Sequence, residues 1–130
     1  MPEIGTTVLL AEDDLTLSEM YEERLHQDGF TVVIAHNGQE AIDLVDSVKP
    51  AVIVLDIMMP KLSGLDVLTR MKDQEETKSI PIIILTALVQ EIDRIKELLG
   101  PRDSYLVKSE IMPGEVIERI KKAVESQEVV

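Results

Sequence analysis

Residues Ala51 to Pro60 read AVIVLDIMMP. Five apolar residues run without a break into one acid, Asp56, and Pro50 and Pro60 bound the segment. Such a run predicts a strand covered on both faces, as in a parallel sheet flanked by helices. An ionised carboxylate in the middle of that strand would pay a desolvation cost of several kcal/mol or more. At the C-terminal end of the strand it is tolerable, because open α/β sheets place their ligand crevices there. Asp56 therefore reads as an aspartate aimed at a site.

Outward from this strand, short apolar runs and helical periodicities alternate. VLLA (8–11) ends in Glu12-Asp13-Asp14, with Asp14 placed to cap a helix carrying Leu17, Met20, Tyr21 and Leu25 and closed by Gly29. FTVVIA (30–35) is strand-like, and Asn37-Gly38 leads into a helix with Ala41, Ile42, Leu44, Val45 and Val48. After Pro60, Ser63-Gly64 forms a loop before Leu65, Val67, Leu68 and Met71, and residues 72–79 read as a polar surface connection. IPIIIL (80–85) is the most apolar strand, closed by Thr86. Ile92, Ile95, Leu98 and Leu99 make a helix stopped by Gly100-Pro101. Tyr105 to Val107 is a last strand ending in Lys108, and Pro113 opens a final helix at its first position. The tail SQEVV (126–130) is expected to fray. Five strand–helix units predict one α/β domain over residues 1–130, with a core from about 7 to 125 and helices on both faces of a parallel sheet.

Composition narrows the function. With 25 acidic against 13 basic residues the formal net charge is −12, which disfavours direct contact with nucleic acid or an anionic membrane. There is no cysteine, hence no disulfide and no thiolate chemistry. Apolar runs stop far short of the roughly 20 residues that cross a bilayer, and no secretory signal is visible, so the expected setting is soluble and cytoplasmic. Only Tyr21, Phe30 and Tyr105 are aromatic, too few for a base- or flavin-stacking site.

Polar groups gather at the strand ends: Glu12 and Asp13 after the first, Asp56 after the third, Thr86 after the fourth and Lys108 after the fifth. In a doubly wound sheet of order 2-1-3-4-5 the first and third strands are neighbours at the switch point, which brings three carboxylates into one crevice. Like charges so close need a cation. A hard divalent ion, Mg²⁺, held by carboxylates, water and phosphoryl oxygens suits them, with Lys108 as a point charge for the same anion.

VLLAEDD, VLDIMMPKLSG, PIIILTA and YLVK, in that order and spacing, resemble the receiver domain of two-component response regulators from Thr7 to about Glu125. The resemblance implies a flavodoxin-like (βα)5 fold. It implies that Asp56 accepts a phosphoryl group from the phosphohistidine of a sensor histidine kinase or a histidine phosphotransfer protein, or from a small acyl phosphate. Glu12 and Asp13 would hold Mg²⁺ (Mn²⁺ is possible) with Asp56 and the backbone carbonyl of Met58. Lys108 would contact the phosphoryl group, Thr86 would close on it, and Tyr105 would follow Thr86 inward. The phosphorylated form would then present a changed surface of the fourth helix, fifth strand and fifth helix to a protein partner, with no turnover of an external substrate.

The sequence also departs from the family. Ser109 stands where the family has a proline after its lysine, often in a cis peptide; a cis bond before serine would cost about 2.5–4 kcal/mol. A trans peptide and a reshaped loop are therefore expected. Gly100-Pro101-Arg102-Asp103 replaces the common Gly-Ala-Asp turn. Met58 and Leu88, apolar at positions that influence loss of the phosphoryl group, predict slow autodephosphorylation. Two rivals remain. A phosphorylation-independent pseudo-receiver is disfavoured by the complete residue set. A Mg²⁺-dependent aspartyl-phosphate phosphohydrolase would want a second acid where Met58 stands, and an FMN carrier of the same topology would want flanking aromatics.

Overall fold

The computed structural model describes residues 6–59, 63–87 and 89–128. Five strands alternate with five helices: β1 (Thr7–Ala11), α1 (Leu15–Gln27), β2 (Thr31–Ala35), α2 (Gly38–Val48), β3 (Val52–Asp56), α3 (Gly64–Lys72), β4 (Ile82–Thr86), α4 (Ile92–Leu98), β5 (Ser104–Val107) and α5 (Pro113–Glu128). Short 3-10 turns occupy Val89–Glu91 and Lys108–Glu110. The strands form one parallel sheet of order β2-β1-β3-β4-β5. This is the expected flavodoxin-like doubly wound α/β fold.

Alternation along each strand builds two cores. Val8, Leu10, Val54 and Leu85 face one way and pack with Leu25, Val116 and Ile120 from α1 and α5. Leu9, Ile53, Leu55 and Ile84 face the other way and pack with Val45, Leu68 and Ile95 from α2, α3 and α4. All five residues of β3 and of β4 are buried. At about 1.5–3 kcal/mol for each large side chain removed from water, this central pair anchors the sheet.

The helix ends follow local chemistry. Asp14 Oδ1 accepts the Leu17 N–H at 3.0 Å, Asn37 Oδ1 accepts the Glu40 N–H at 2.9 Å, and Ser63 with Asp66 forms a capping box at the start of α3. Gly29, at φ +94°, ends α1 in a left-handed turn. Its N–H and that of Phe30 donate to the carbonyls of His26 and Leu25, each at 3.0 Å.

One sequence expectation needs correction. Residues 72–79 are turns but not wholly surface, because Thr77 is buried and its hydroxyl donates to the Met71 carbonyl at 2.6 Å. The last helix extends through Glu128, and Val129 and Val130 lie outside the described residues. The departures near the fifth strand have clear consequences. Among the described residues no peptide is cis, so Lys108–Ser109 is trans as expected, and the chain leaves β5 in the 3-10 turn. Asp103 accepts backbone N–H groups of Ile82 (2.9 Å) and Gly100 (2.7 Å) and pairs with Lys72 at 2.6 Å. That buried carboxylate, fully satisfied, pins the α4–β5 turn to the start of β4.

Candidate functional site

The parallel register sets the site. Ala11 lies opposite Leu55 in the β1–β3 pair, so the next residues, Glu12 and Asp56, emerge side by side at the carboxyl edge of the sheet. The Glu12 N–H continues the ladder onto the Ala35 carbonyl at 3.0 Å, which fixes its backbone. Glu12 and Asp56 are buried and Asp13 is exposed, and ligand oxygens of the three carboxylates lie within 4.8 Å of one another.

Lys108, at the end of β5, reaches past the intervening strand β4. Its Nζ stands 2.7 Å from Asp56 Oδ2 and 3.0 Å from Glu12 Oε1. The other oxygen, Asp56 Oδ1, accepts the Met58 N–H at 3.1 Å. One ammonium thus serves two buried acids. Burial first, then hydrogen bonding to and charge repulsion from Asp56, push the Glu12 carboxyl up to about 7 against the pull of Lys108. Burial works against the Lys108 ammonium, but Asp56 and Glu12 together outweigh it and hold its pKa above the ordinary lysine value. Burial, with the charge of Glu12 added, also raises the Tyr21 phenol.

The acids open onto a cleft of about 870 Å³ whose walls include Met58, Met59 and Ala87. The donor set is all carboxylate oxygen with no nitrogen or sulfur, one member is open to water, and the buried charge is under-compensated. These residues fit a hard ion such as Mg²⁺ or Mn²⁺.

The remaining predicted residues are distributed around this centre. Thr86 ends β4 fully buried, opposite Val107 in the register, and its neighbour Ala87 faces the cleft. Tyr105 is half-buried in β5 opposite Ile84, with the Lys96 ammonium 5.8 Å from its ring centroid. The Met58 side chain is 55% exposed at the cleft wall. Leu88 and Pro60 lie outside the described residues. His26 and His36 are exposed.

Sequence reasoning missed two residues. Gly64 packs directly on the strand end: its N–H donates to the Ile57 carbonyl at 2.9 Å, and a Cβ there would overlap the Asp56 carbonyl oxygen and lie 2.7 Å from Ile57 Cα. Ser63-Gly64 read only as a loop, although a glycine just after an N-cap is a signal of close backbone approach. Glu91 lines the cleft. No sequence signal marked it, because its direction depends on the 3-10 turn that precedes α4.

A doubly wound α/β domain with three acids and a lysine converging on the carboxyl edge of its sheet belongs to the flavodoxin-like class that carries an aspartate-centred site. The response regulator receiver domain family model matches residues 8–121, and the chain belongs to that family. It is 38% identical over 114 residues to the transcriptional regulatory protein CpxR of Escherichia coli, an alignment covering 88% of this chain and 47% of CpxR. The chain therefore spans about half the length of the curated relatives it matches. The receiver domain of the Francisella response regulator 1452 is similar at 30% identity and a TM-score of 0.83, over 95% of this chain and 99% of that one. The response regulator TrrA of Thermotoga maritima, solved in complex with Mg²⁺-BeF, is similar at 29% identity and a TM-score of 0.78, over 91% and 98%. The chain is thus a receiver domain of the two-component type. Among the described residues no helix is long and apolar enough to cross a membrane.

Proposed function

We propose that the chain is a phosphorylation-controlled switch, one domain over residues 1–130, in which Asp56 accepts a phosphoryl group from the phosphohistidine of a sensor histidine kinase or histidine phosphotransfer protein. The observation that carries this reading is the Lys108 ammonium held between Asp56 and Glu12 inside a carboxylate triad. The likeness to TrrA, solved with Mg²⁺-BeF, supports it.

Phosphoryl transfer has a loose transition state and needs positioning and charge neutralisation more than covalent assistance. An Asp56 oxygen forms the new bond to phosphorus as the bond to the histidine nitrogen breaks, and the leaving imidazole keeps that electron pair. The Met58 N–H holds Oδ1 in place. Lys108 starts on Oδ2 and shifts its donor toward the phosphoryl oxygens as negative charge moves onto them. Glu12, Asp13, Asp56 and the Met58 carbonyl would hold Mg²⁺ or Mn²⁺, which when bound neutralises the same oxygens. Thr86 and Tyr105 read the new dianion and bias the surface of α4, β5 and α5, which a protein partner then recognises.

On this reading the domain works through protein contacts in the cytoplasm and turns over no external substrate. The apolar Met58 side chain, unable to orient water, leaves autodephosphorylation slow. The test is intact mass after incubation with acetyl phosphate and Mg²⁺. A gain of one phosphoryl group in the wild type and none in Asp56→Ala is expected. No gain under any condition would favour a phosphorylation-independent pseudo-receiver.

A further inference from the structure

The same cleft holds a carboxylate that the phosphoryl-transfer scheme does not use. Glu91, the last residue of the 3-10 turn before α4, is half-exposed and lines the cleft across from the acid triad's strands. It precedes the first turn of α4 without capping it by its side chain, and among the described residues that side chain has no hydrogen-bond or ion-pair partner. The other acids lining the cleft are employed. Glu12 and Asp56 share Lys108, Asp13 completes the triad, and Asp14 caps α1. Among the described residues, five carboxylates including Glu91 and one ammonium line this opening. An unpaired carboxylate held at a cleft wall without a structural task acts through its charge.

We infer that Glu91 is a specificity-determining residue that disfavours small dianionic phosphodonors at the Asp56 cleft, and so biases the domain toward a phosphoryl group delivered by a protein. The inference rests on Asp56 as the phosphoacceptor. Lys108 and a divalent ion on the triad offset most of the charge of the acids at the strand ends, so the negative excess that a free dianion meets among the described residues is the part to which Glu91 contributes, and field focusing between low-dielectric walls magnifies that repulsion. A phosphohistidine presented by a protein arrives with its own surrounding surface, including whatever cations that surface supplies, so Glu91 becomes a contact and not a barrier. A dianion feels the barrier about twice as strongly as a monoanion, since Coulomb energy scales with the product of charges. The effect also fades with salt, because exposed charges are screened beyond a Debye length of about 10 Å at 0.1 M.

The experiment compares labelling rates of the full chain with acetyl phosphate, a dianion, and phosphoramidate, a monoanion, in Mg²⁺ at low and high salt. Wild type, Glu91→Gln and Glu91→Lys are measured side by side, with thermal melts to confirm folding. At low salt Glu91→Gln is expected to raise the acetyl phosphate rate by about three- to tenfold, a share of the 10–10³ available to focused fields. The phosphoramidate rate should rise less, Glu91→Lys should exceed Glu91→Gln, and high salt should shrink all the differences. Folded variants with an unchanged ratio of the two donor rates would overturn the role of Glu91 while leaving Asp56 as acceptor. A wild-type chain that accepts neither donor would instead overturn the phosphoacceptor reading, and this inference with it.

Discussion

Glu12 shows how far a single position can be loaded. Its carboxyl is buried, touches one acid and one ammonium, and is pushed up to about 7 from the ordinary 4.5. The folded protein therefore binds this proton more tightly than the unfolded chain does. The resulting stabilisation is fully present below about pH 4.5 and is lost as the pH rises through about 7. Without divalent ions, urea unfolding of wild type minus Glu12→Gln should isolate this contribution, at most about 3 kcal/mol across that window. A flat difference would show that Glu12 is not displaced from its ordinary value. Mg²⁺ competes for the same oxygen, so its stabilising effect should be larger at pH 8 than at pH 6, and EDTA should abolish it at both. The acids, Thr86 and Lys108 were legible in the sequence because each ends an apolar run. Glu12's shared lysine and Glu91's exposure to the cleft were not, since both depend on how loops from distant strands turn.

At the scale of elements, β3 and the start of α3 behave as one unit. Gly64 lets the helix begin against the backbone of Asp56 and Ile57, and the Ser63–Asp66 capping box fixes where it begins. Gly64→Ala gives no backbone strain of the left-handed kind; it forces two backbones apart. Overpacking of this sort costs about 1–3 kcal/mol. The expected result is a lower urea midpoint together with, on the proposed function, slower labelling of Asp56, because the displaced strand end carries that residue. Unchanged labelling in a folded variant would separate the helix from the site. The elements themselves were readable from periodicity: ten strands and helices appear where apolar spacing put them. The exception is instructive. Thr77 looked like surface because it is polar, yet its hydroxyl is consumed by the Met71 carbonyl.

For the whole molecule, the sheet divides the chain into two cores that share only the strands, and that layering was predictable from five strand–helix units. Lys108 is the bond across it, joining β5 to β1 and β3. Lys108→Ala leaves Glu12 and Asp56 facing each other without a cation. Breaking a buried pair costs 3–5 kcal/mol in full burial, and about 1–3 kcal/mol is expected for this partly exposed lysine. Urea unfolding should register the loss, and it should be smaller at pH 5 than at pH 8, since a protonated Glu12 no longer repels Asp56. Equal midpoints for the two proteins at pH 8 would count against this account.

Lys108 lies 96 residues beyond Glu12 and 52 beyond Asp56. During synthesis Asp56 and its acid neighbours therefore leave the ribosome well before their counter-charge does. A growing chain carries the aspartate but not the cation that lets it share a pocket with Glu12, so the charge cluster is complete only once β5 has been made.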